Sequence, residues 1–216
     1  MRVGIVGCGG IAKVHAKCIN NMKDHQLVGF VDCKKERADS FALTYGGNSY
    51  RSLEEMFENE TIDVLHICTP HYLHSTMAEY GLKHNSHVFM EKPPVINKEQ
   101  LEKLRQVVLN SDRKLGLCFQ NRYNKSIIAV KKLIESGEVG KVLGARGIVT
   151  WCRNNAYYTE SDWRGRLDTE GGGVLINQSI HTLDLLNYLI DDTPLSIDAF
   201  ITNHHLQGVI EVEDTM

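Results

Sequence analysis

The hydrophobic positions fall first into short runs and later into helix-spaced faces. Val3-Gly4-Ile5-Val6 is an apolar run rich in β-branched residues and reads as a buried strand. From Ile11 the apolar positions recur at helix spacing, through Val14 or His15 to Cys18 and Met22. A second apolar run, Gln26-Leu-Val-Gly-Phe-Val-Asp32, ends in an acid. Helical pattern over 34–44 breaks at Gly46-Gly47-Asn48, and a short helix is expected over 53–57. Strands are predicted at 62–68, 87–91 and 115–120, and helices at 75–83 and 98–110. Asn97 can cap the last of these, with Gln100 three residues on. Strands alternating with helices at this spacing predict a parallel, doubly wound α/β sheet of the Rossmann kind.

Past Tyr123 the pattern changes. An amphipathic helix over 126–136 is closed by Gly137 and Gly140. A long strand of mixed polarity is expected over 142–153, then a loop to Glu170. Gly171-Gly172-Gly173 opens an apolar helix over 174–190, and 195–202 and 209–213 read as strands. The expected organisation is a dinucleotide-binding domain over 1–122 and an α+β domain over 123–216.

Composition narrows the function without choosing it. A chain of 216 residues with a formal net charge of −3 is that of an ordinary globular protein. No basic run suggests nucleic acid, and no apolar run is long enough to span a bilayer, so neither partner is expected. Met1 runs at once into the first strand, which leaves no room for a signal peptide. The six cysteines are scattered with no C-x-x-C pair, and read as free, buried thiols in a reducing cytoplasm.

The chemistry starts at the first strand–helix turn, Gly7-Cys8-Gly9-Gly10-Ile11-Ala12. In Gly7-x-Gly9-x-x-Ala12 the first glycine permits a sharp turn and the second lets backbone approach a pyrophosphate. The small third residue lets helix and strand pack closely. A phosphate then sits at the helix N-terminus. Asp32 falls about 20 residues later, where a carboxylate can accept both ribose hydroxyls and would repel a 2′-phosphate. That favours NAD over NADP, although Lys34 and Lys35 close by could greet a phosphate. The plain alternative is an ordinary βαβ turn with a helix-capping aspartate. Thr69-Pro70-His71 with His74, Glu91-Lys92-Pro93, and Gln120 to Tyr123 all fall at predicted strand ends, where such sheets bind ligands.

Lys92, held stiffly by the prolines after it, could bond a substrate hydroxyl and help move its proton. Otherwise it is a surface lysine paired with Glu91. Asn177, His181 and Asp184 share one face of an otherwise greasy helix at i, i+4 and i+7. That stripe is either a histidine base facing substrate or a core histidine bonded to Asp184 or backbone. Arg122 and Tyr123 are candidate substrate contacts or hinge packing, and Trp163 and Arg164 line a cleft or anchor a loop. His71-x-x-His74, His84-x-x-His87 and His204-His205 lack clustered partners at zinc spacing, so no metal is expected.

These motifs, in this order, resemble the Gfo/Idh/MocA oxidoreductases, the sugar and inositol dehydrogenases and their relatives. The matching segments are Gly7-x-Gly9-x-x-Ala12 with Asp32, Cys68-Thr69-Pro70 with His74, Glu91-Lys92-Pro93, Gln120-Asn121-Arg122-Tyr123-Asn124, Trp163-Arg164-Gly165, and Gly171-Gly172-Gly173 through His181-x-x-Asp184. The resemblance implies hydride transfer between a nicotinamide and a secondary alcohol of a sugar, polyol or nucleotide sugar, with Lys92 and His181 as the catalytic pair. It implies substrate contacts from Lys92, Arg122, Asn177 and His181. The family commonly carries Asp where this chain has Asn177, and an amide cannot take a proton. The expected cofactor-binding residues are Gly7, Cys8, Gly9, Gly10, Ile11, Ala12, Asp32, Cys33, Thr69, Pro70, His71, His74, Glu91, Lys92, Pro93, Asn121, Trp163 and Arg164. Members are longer, with a second domain built on a mostly antiparallel open sheet. The chain is therefore expected to be a truncated form with that sheet incomplete, forming a homo-oligomer through it. A different class, a non-catalytic dinucleotide-binding sensor that keeps the cofactor site, also fits Asn177 and the truncation.

Overall fold

A computed structural model describes residues 1–216. Contacts within the chain divide it into two compact units, Met1–Cys118 and Phe119–Met216. In the first, six parallel strands form one sheet in the order β3-β2-β1-β4-β5-β6. They are β1 (Arg2–Val6), β2 (Gln26–Val31), β3 (Asn48–Tyr50), β4 (Val64–Ile67), β5 (His87–Met90) and β6 (Leu115–Leu117). The connecting helices are α1 (Gly10–Asn20), α2 (Lys35–Tyr45), α3 (Leu53–Asn59), α4 (His74–Lys83) and α5 (Lys98–Leu109). This strand order reverses direction between β1 and β4, the switch point where doubly wound sheets hold their ligands.

Each face of the sheet has its own core. Val3 and Ile5 of β1 pack with Ala12, Ala16, Ile19, Phe30 and Phe41 on one side. Val6 packs with Val31, Met56, Leu65, Ile67, Val88 and Met90 on the other. The central strands are apolar on both faces because helices cover both. Asn97 caps α5 as expected, its side chain accepting from Gln100 N–H at 2.9 Å.

The buried face of α1 differs from the predicted one. Ala12, His15, Ala16 and Ile19 point inward, while Ile11, Val14, Cys18 and Met22 are exposed. The small alanines let the helix sit close on the sheet, a packing gain that outweighs covering the larger apolar side chains. The cysteines also divide. Cys8 and Cys68 are buried, Cys118 is partly buried, and Cys18, Cys33 and Cys152 are exposed.

The second unit is mostly helix and loop. It holds α6 (Lys125–Glu135), α7 (Asn155–Thr159), a π turn over Leu175–Ser179, and α8 (Ile180–Ile190) continuing from that turn. Tyr158, Leu206, Ile210 and Val212 form its small core. Asp214 gathers the backbone N–H groups of His204, His205 and Leu206 at 2.7–3.0 Å. The expected strands over 142–153, 195–202 and 209–213 are not formed, and the only β pairing is an isolated Thr202–Thr215 bridge. Their sequences favour extended backbone, but a strand needs a partner edge. Leu143 and Leu195 are almost fully exposed, with no neighbouring backbone to pair with.

Candidate active site

The rim of the first sheet is built by carrying the parallel ladder past the strand ends. Gly7 N–H donates to Val31 O, Cys68 N–H to Val6 O, Glu91 N–H to Ile67 O, and Cys118 N–H to Met90 O, at 2.8–3.0 Å. These bonds place Gly7, Asp32, Cys68, Glu91 and Cys118 along one edge.

The glycine turn is tightly specified. Gly7 has φ +86°, and a Cβ there would lie 2.7 Å from the backbone C and O of Cys68. Gly9 and Gly10 face open space, with nothing within 4 Å of where a Cβ would be. Gly9 ends the loop and no side chain caps α1. The first-turn N–H groups therefore lack a side-chain acceptor, which suits an anionic ligand. No acidic residue stands in that turn to repel one. A dinucleotide pyrophosphate fits this cradle.

Asp32 is buried behind the turn. One carboxylate oxygen accepts from Cys8 N–H at 2.8 Å and the other from Lys34 N–H at 2.8 Å. Both the ribose reading and the capping alternative thus have a basis in one residue, since Oδ2 keeps a second lone pair and the second donor to Oδ1 is only the weak Cys33 thiol at 3.6 Å. The Cys8 thiol is turned inward onto Val31 O, and burial pushes it up to about 12, so it binds through backbone only.

His74 corrects an expectation. It is fully buried, with Nδ1 2.6 Å from Pro93 O and Nε2 2.8 Å from Thr69 O. The side chain holds two rim loops together and touches nothing at the surface. Carbonyls only accept, so both bonds coexist only in the doubly protonated ring. Burial opposes that charge, outweighs the two carbonyls, and lowers the pKa. Glu91 is likewise spent, on His15 Nε2 at 3.0 Å. Burial pushes Glu91 up, but the His15 bond and charge, the Cys118 thiol and the Lys92 charge together hold it below the usual range. The ligand-type atoms of His15, Glu91 and Cys118 lie within 4.8 Å of one another.

In the second unit Arg122 is paired within the protein. Its guanidinium clamps Asp184 with Nε 2.8 Å from Oδ2 and Nη2 on Oδ1, and lies over Tyr188 at 5.0 Å. The Asp184 hydrogen bonds raise its pKa. Asp184 therefore serves Arg122, and Arg122 braces α8. The predicted uninterrupted helix is a π turn running into α8, so Asn177 and His181 are not related by a plain α-helical step. The His181 ring stands edge-on to Phe119 at 6.2 Å.

Glu170 was invisible as a site residue. It is fully buried, accepts from Gly165 N–H at 2.5 Å, and holds Asn177 Nδ2 at 2.5 Å. Asn177 Nδ2 also reaches Tyr157 OH at 3.2 Å. Its place directly before the triple glycine was the one available hint. The Arg164 guanidinium lies over the Tyr157 and Trp163 rings at 4.4 and 4.9 Å.

Comparison with known proteins agrees with this geometry. The family model described as an oxidoreductase family with an NAD-binding Rossmann fold matches residues 1–119. The GFO/IDH/MocA C-terminal domain matches residues 127–216. Glucose-6-phosphate 3-dehydrogenase of Bacillus subtilis (strain 168) is 29% identical over 192 residues, 88% of this chain and 54% of that protein. Inositol 2-dehydrogenase of Rhizobium meliloti (strain 1021) is 29% identical over 92% of this chain and 58% of its own length. The WlbA dehydrogenase of Bordetella pertussis, solved with NADH and UDP-GlcNAcA, superposes with a TM-score of 0.83 at 31% identity, over 88% of this chain and 55% of that one. The chain thus spans about half the length of the relatives it matches. No helix is long and apolar enough to cross a membrane. With both of its domain models matched in order, the chain belongs to the Gfo/Idh/MocA family of oxidoreductases, and its first unit is that family's NAD-binding Rossmann fold.

Proposed function

We propose that this chain carries an NAD-dependent dehydrogenase activity on a secondary alcohol of a sugar, polyol or nucleotide sugar. The observation that carries the reading is the cradle at Gly9 and Gly10, open above an uncapped helix, with Asp32 behind it and Glu91-Lys92 on the same rim. NAD would be held by the first turn of α1, by Asp32 at the adenosine ribose, and by the backbone of the Thr69–His71 and Glu91–Pro93 turns. When bound it supplies the hydride acceptor.

The chain's own residues handle the proton. As the alcohol carbon gives up hydride, its hydroxyl proton passes to the imidazole of His181. Lys92 orients the alcohol oxygen and relays the proton. Asn177 contacts a neighbouring sugar hydroxyl, its amide orientation set by Glu170 and Tyr157. Arg122 braces α8 through Asp184 and offers its remaining N–H groups to a substrate hydroxyl. Like the solved WlbA dehydrogenase, the chain is proposed to accept a nucleotide sugar, with sugar phosphates and inositols as alternatives suggested by the other relatives. The exposed apolar stretches around Leu143, Ile148, Leu195, Ile197 and Phe200 are proposed as strands that complete an open, mostly antiparallel sheet on pairing with further chain or a second copy.

Fluorescence titration with NADH and NADPH tests the cofactor, and turnover of NAD with UDP-GlcNAcA, glucose 6-phosphate and myo-inositol tests the reaction. Tight NADH, weak NADPH and turnover of one alcohol support the proposal, and no nucleotide binding defeats it. NADH binding with no turnover of any of these alcohols would favour the dinucleotide sensor, whose support here is Asn177 standing where a proton acceptor is expected.

A further inference from the structure

His15 lies on the buried face of α1, with its ring only 6% exposed. Its two nitrogens point in opposite directions along one line of polar groups. Nε2 is 3.0 Å from Glu91 Oε1, and Nδ1 is 2.9 Å from Nδ1 of His66 on β4. The two rings meet edge-on, with centroids 5.2 Å apart, and Phe89 packs against both. A chain His66–His15–Glu91 therefore runs from the middle of the sheet to the residue before Lys92. On the other side of Lys92, His74 of α4 holds the Pro93 carbonyl at 2.6 Å. The residues flanking Lys92 are each fixed by a buried histidine from a different helix.

The protonation logic of the chain is unusual. A carboxylate only accepts, so His15 Nε2 carries a proton toward Glu91. His15 Nδ1 must then either accept a proton from His66 Nδ1 or donate one to it. A neutral His66 can do either, by switching tautomer. Burial holds His66 neutral, down to about 3, helped by the neighbouring charges of His15 and His25. The other titratable groups facing Glu91 are the Cys118 and Cys68 thiols, the Lys92 ammonium and the His74 ring. So Glu91 keeps its hydrogen-bond donor in either tautomer of His66, and the turn stays put.

We propose that His15, backed by His66, is a positioning residue for Lys92, acting through the Glu91 carboxylate, with His74 as its counterpart at Pro93. This rests on the reading of Lys92 as a catalytic residue. The mechanism needs the Lys92 amine held close to the alcohol oxygen, and displacement of about 1 Å costs roughly 100-fold in rate. Neither histidine touches the reacting atoms.

The test compares wild type with His15→Leu and His15→Gln in NADH titration, thermal unfolding and steady-state turnover of the best alcohol of the three above, across pH. His15→Leu should bind NADH like wild type and keep its KM, while kcat falls roughly 10- to 100-fold. His15→Gln keeps one N–H for Glu91 and should recover most of kcat, with the same pH profile as wild type. An unchanged kcat in His15→Leu overturns the proposal, as does a fall in NADH affinity equal to the fall in kcat, which marks plain fold support. A wild-type chain with no turnover defeats the catalytic reading itself and the proposal with it. If His15→Leu does not fold, imidazole ¹⁵N shifts of wild type decide. A His66 ring that stays neutral to pH 5 with one Nδ1 shared toward His15 supports the chain, and two independently titrating rings overturn it.

Discussion

Replacing the glycines of the turn one at a time separates what the fold needs from what the ligand needs. In Gly7→Ala the new methyl meets backbone atoms at 2.7–2.8 Å, the Cys68 carbonyl and the Thr69 nitrogen, which cannot rotate away. The φ of +86° adds the cost of a left-handed conformation, about 1–2 kcal/mol for a residue with a Cβ. Overpacking against fixed backbone adds about 1–3 kcal/mol. The sum, about 2–5 kcal/mol, is a large part of the 5–15 kcal/mol that typically separates folded from unfolded domains. For a unit of this size it corresponds to a fall in Tm of roughly 10 °C or more. Gly9→Ala places its methyl in open space, with the glycine at φ −88°. Its Tm should stay within about 2 °C of wild type, because surface changes of this kind move stability by about 0.5 kcal/mol or less. Its NADH affinity should nevertheless collapse, since the methyl occupies the approach to the pyrophosphate. Differential scanning fluorimetry with and without NADH reads both axes. A Gly7→Ala chain that melts with wild type refutes the close approach at Cys68, and a Gly9→Ala chain that binds NADH normally refutes the phosphate cradle.

Lys92→Met should leave NADH binding intact and lower turnover roughly 100-fold or more; unchanged steady-state turnover would remove Lys92 from the chemistry. Arg122→Ala leaves the mostly buried Asp184 carboxylate without its guanidinium and should destabilise the chain by about 1–3 kcal/mol in urea unfolding. Arg122→Lys should not restore it, because a single ammonium cannot make both bonds. Asp214 is depressed from its usual 3.8 to about 2; burial opposes this, but the N–H groups of His204, Leu206 and His205 and the Thr215 hydroxyl outweigh it. Its contribution is complete above pH 4 and is lost as pH falls toward 2, which amide exchange at 204–206 should report. His66 runs from 6.5 down to about 3, so its unfolded form binds the extra proton; the first unit should weaken steadily below pH 6.5, and His66→Phe should flatten that slope in pH-dependent melts.

The first unit was legible because its signals are local. Strand runs, the Gly7 turn and the Asn97 cap each depend on residues within a few positions, and five of the six strands stand where the pattern places them; the three-residue β3 (Asn48–Tyr50) is too short to leave a pattern of its own. The α1 face was misread because apolar size predicts burial only when the partner surface has room. Against a flat sheet, Ala12 and Ala16 fit more closely than Ile11 and Val14. In the second unit the β-branched runs form no strands, because pairing depends on a partner edge that no local pattern supplies.

The site shows the same division at the level of single side chains. Glycines, prolines and an acid at a strand end announce a ligand rim because their reasons are backbone reasons. What each polar side chain does with its hydrogen bonds is set by topology. His15 and Glu91 are 76 residues apart, and Arg122 and Asp184 are 62 apart. Periodicity could place Asp184 on the same stripe as His181, but not assign it to Arg122. The residues that sequence offered as direct contacts therefore sort into two kinds. Gly9 and Gly10 face open space by backbone placement alone. His74 and the Cys8 thiol are consumed within the protein, and any influence they have on catalysis passes through the loops and helices they hold. A substitution series that distinguishes affinity from rate will find the first kind in the binding constant or the chemical step, and the second in stability or in kcat at unchanged affinity.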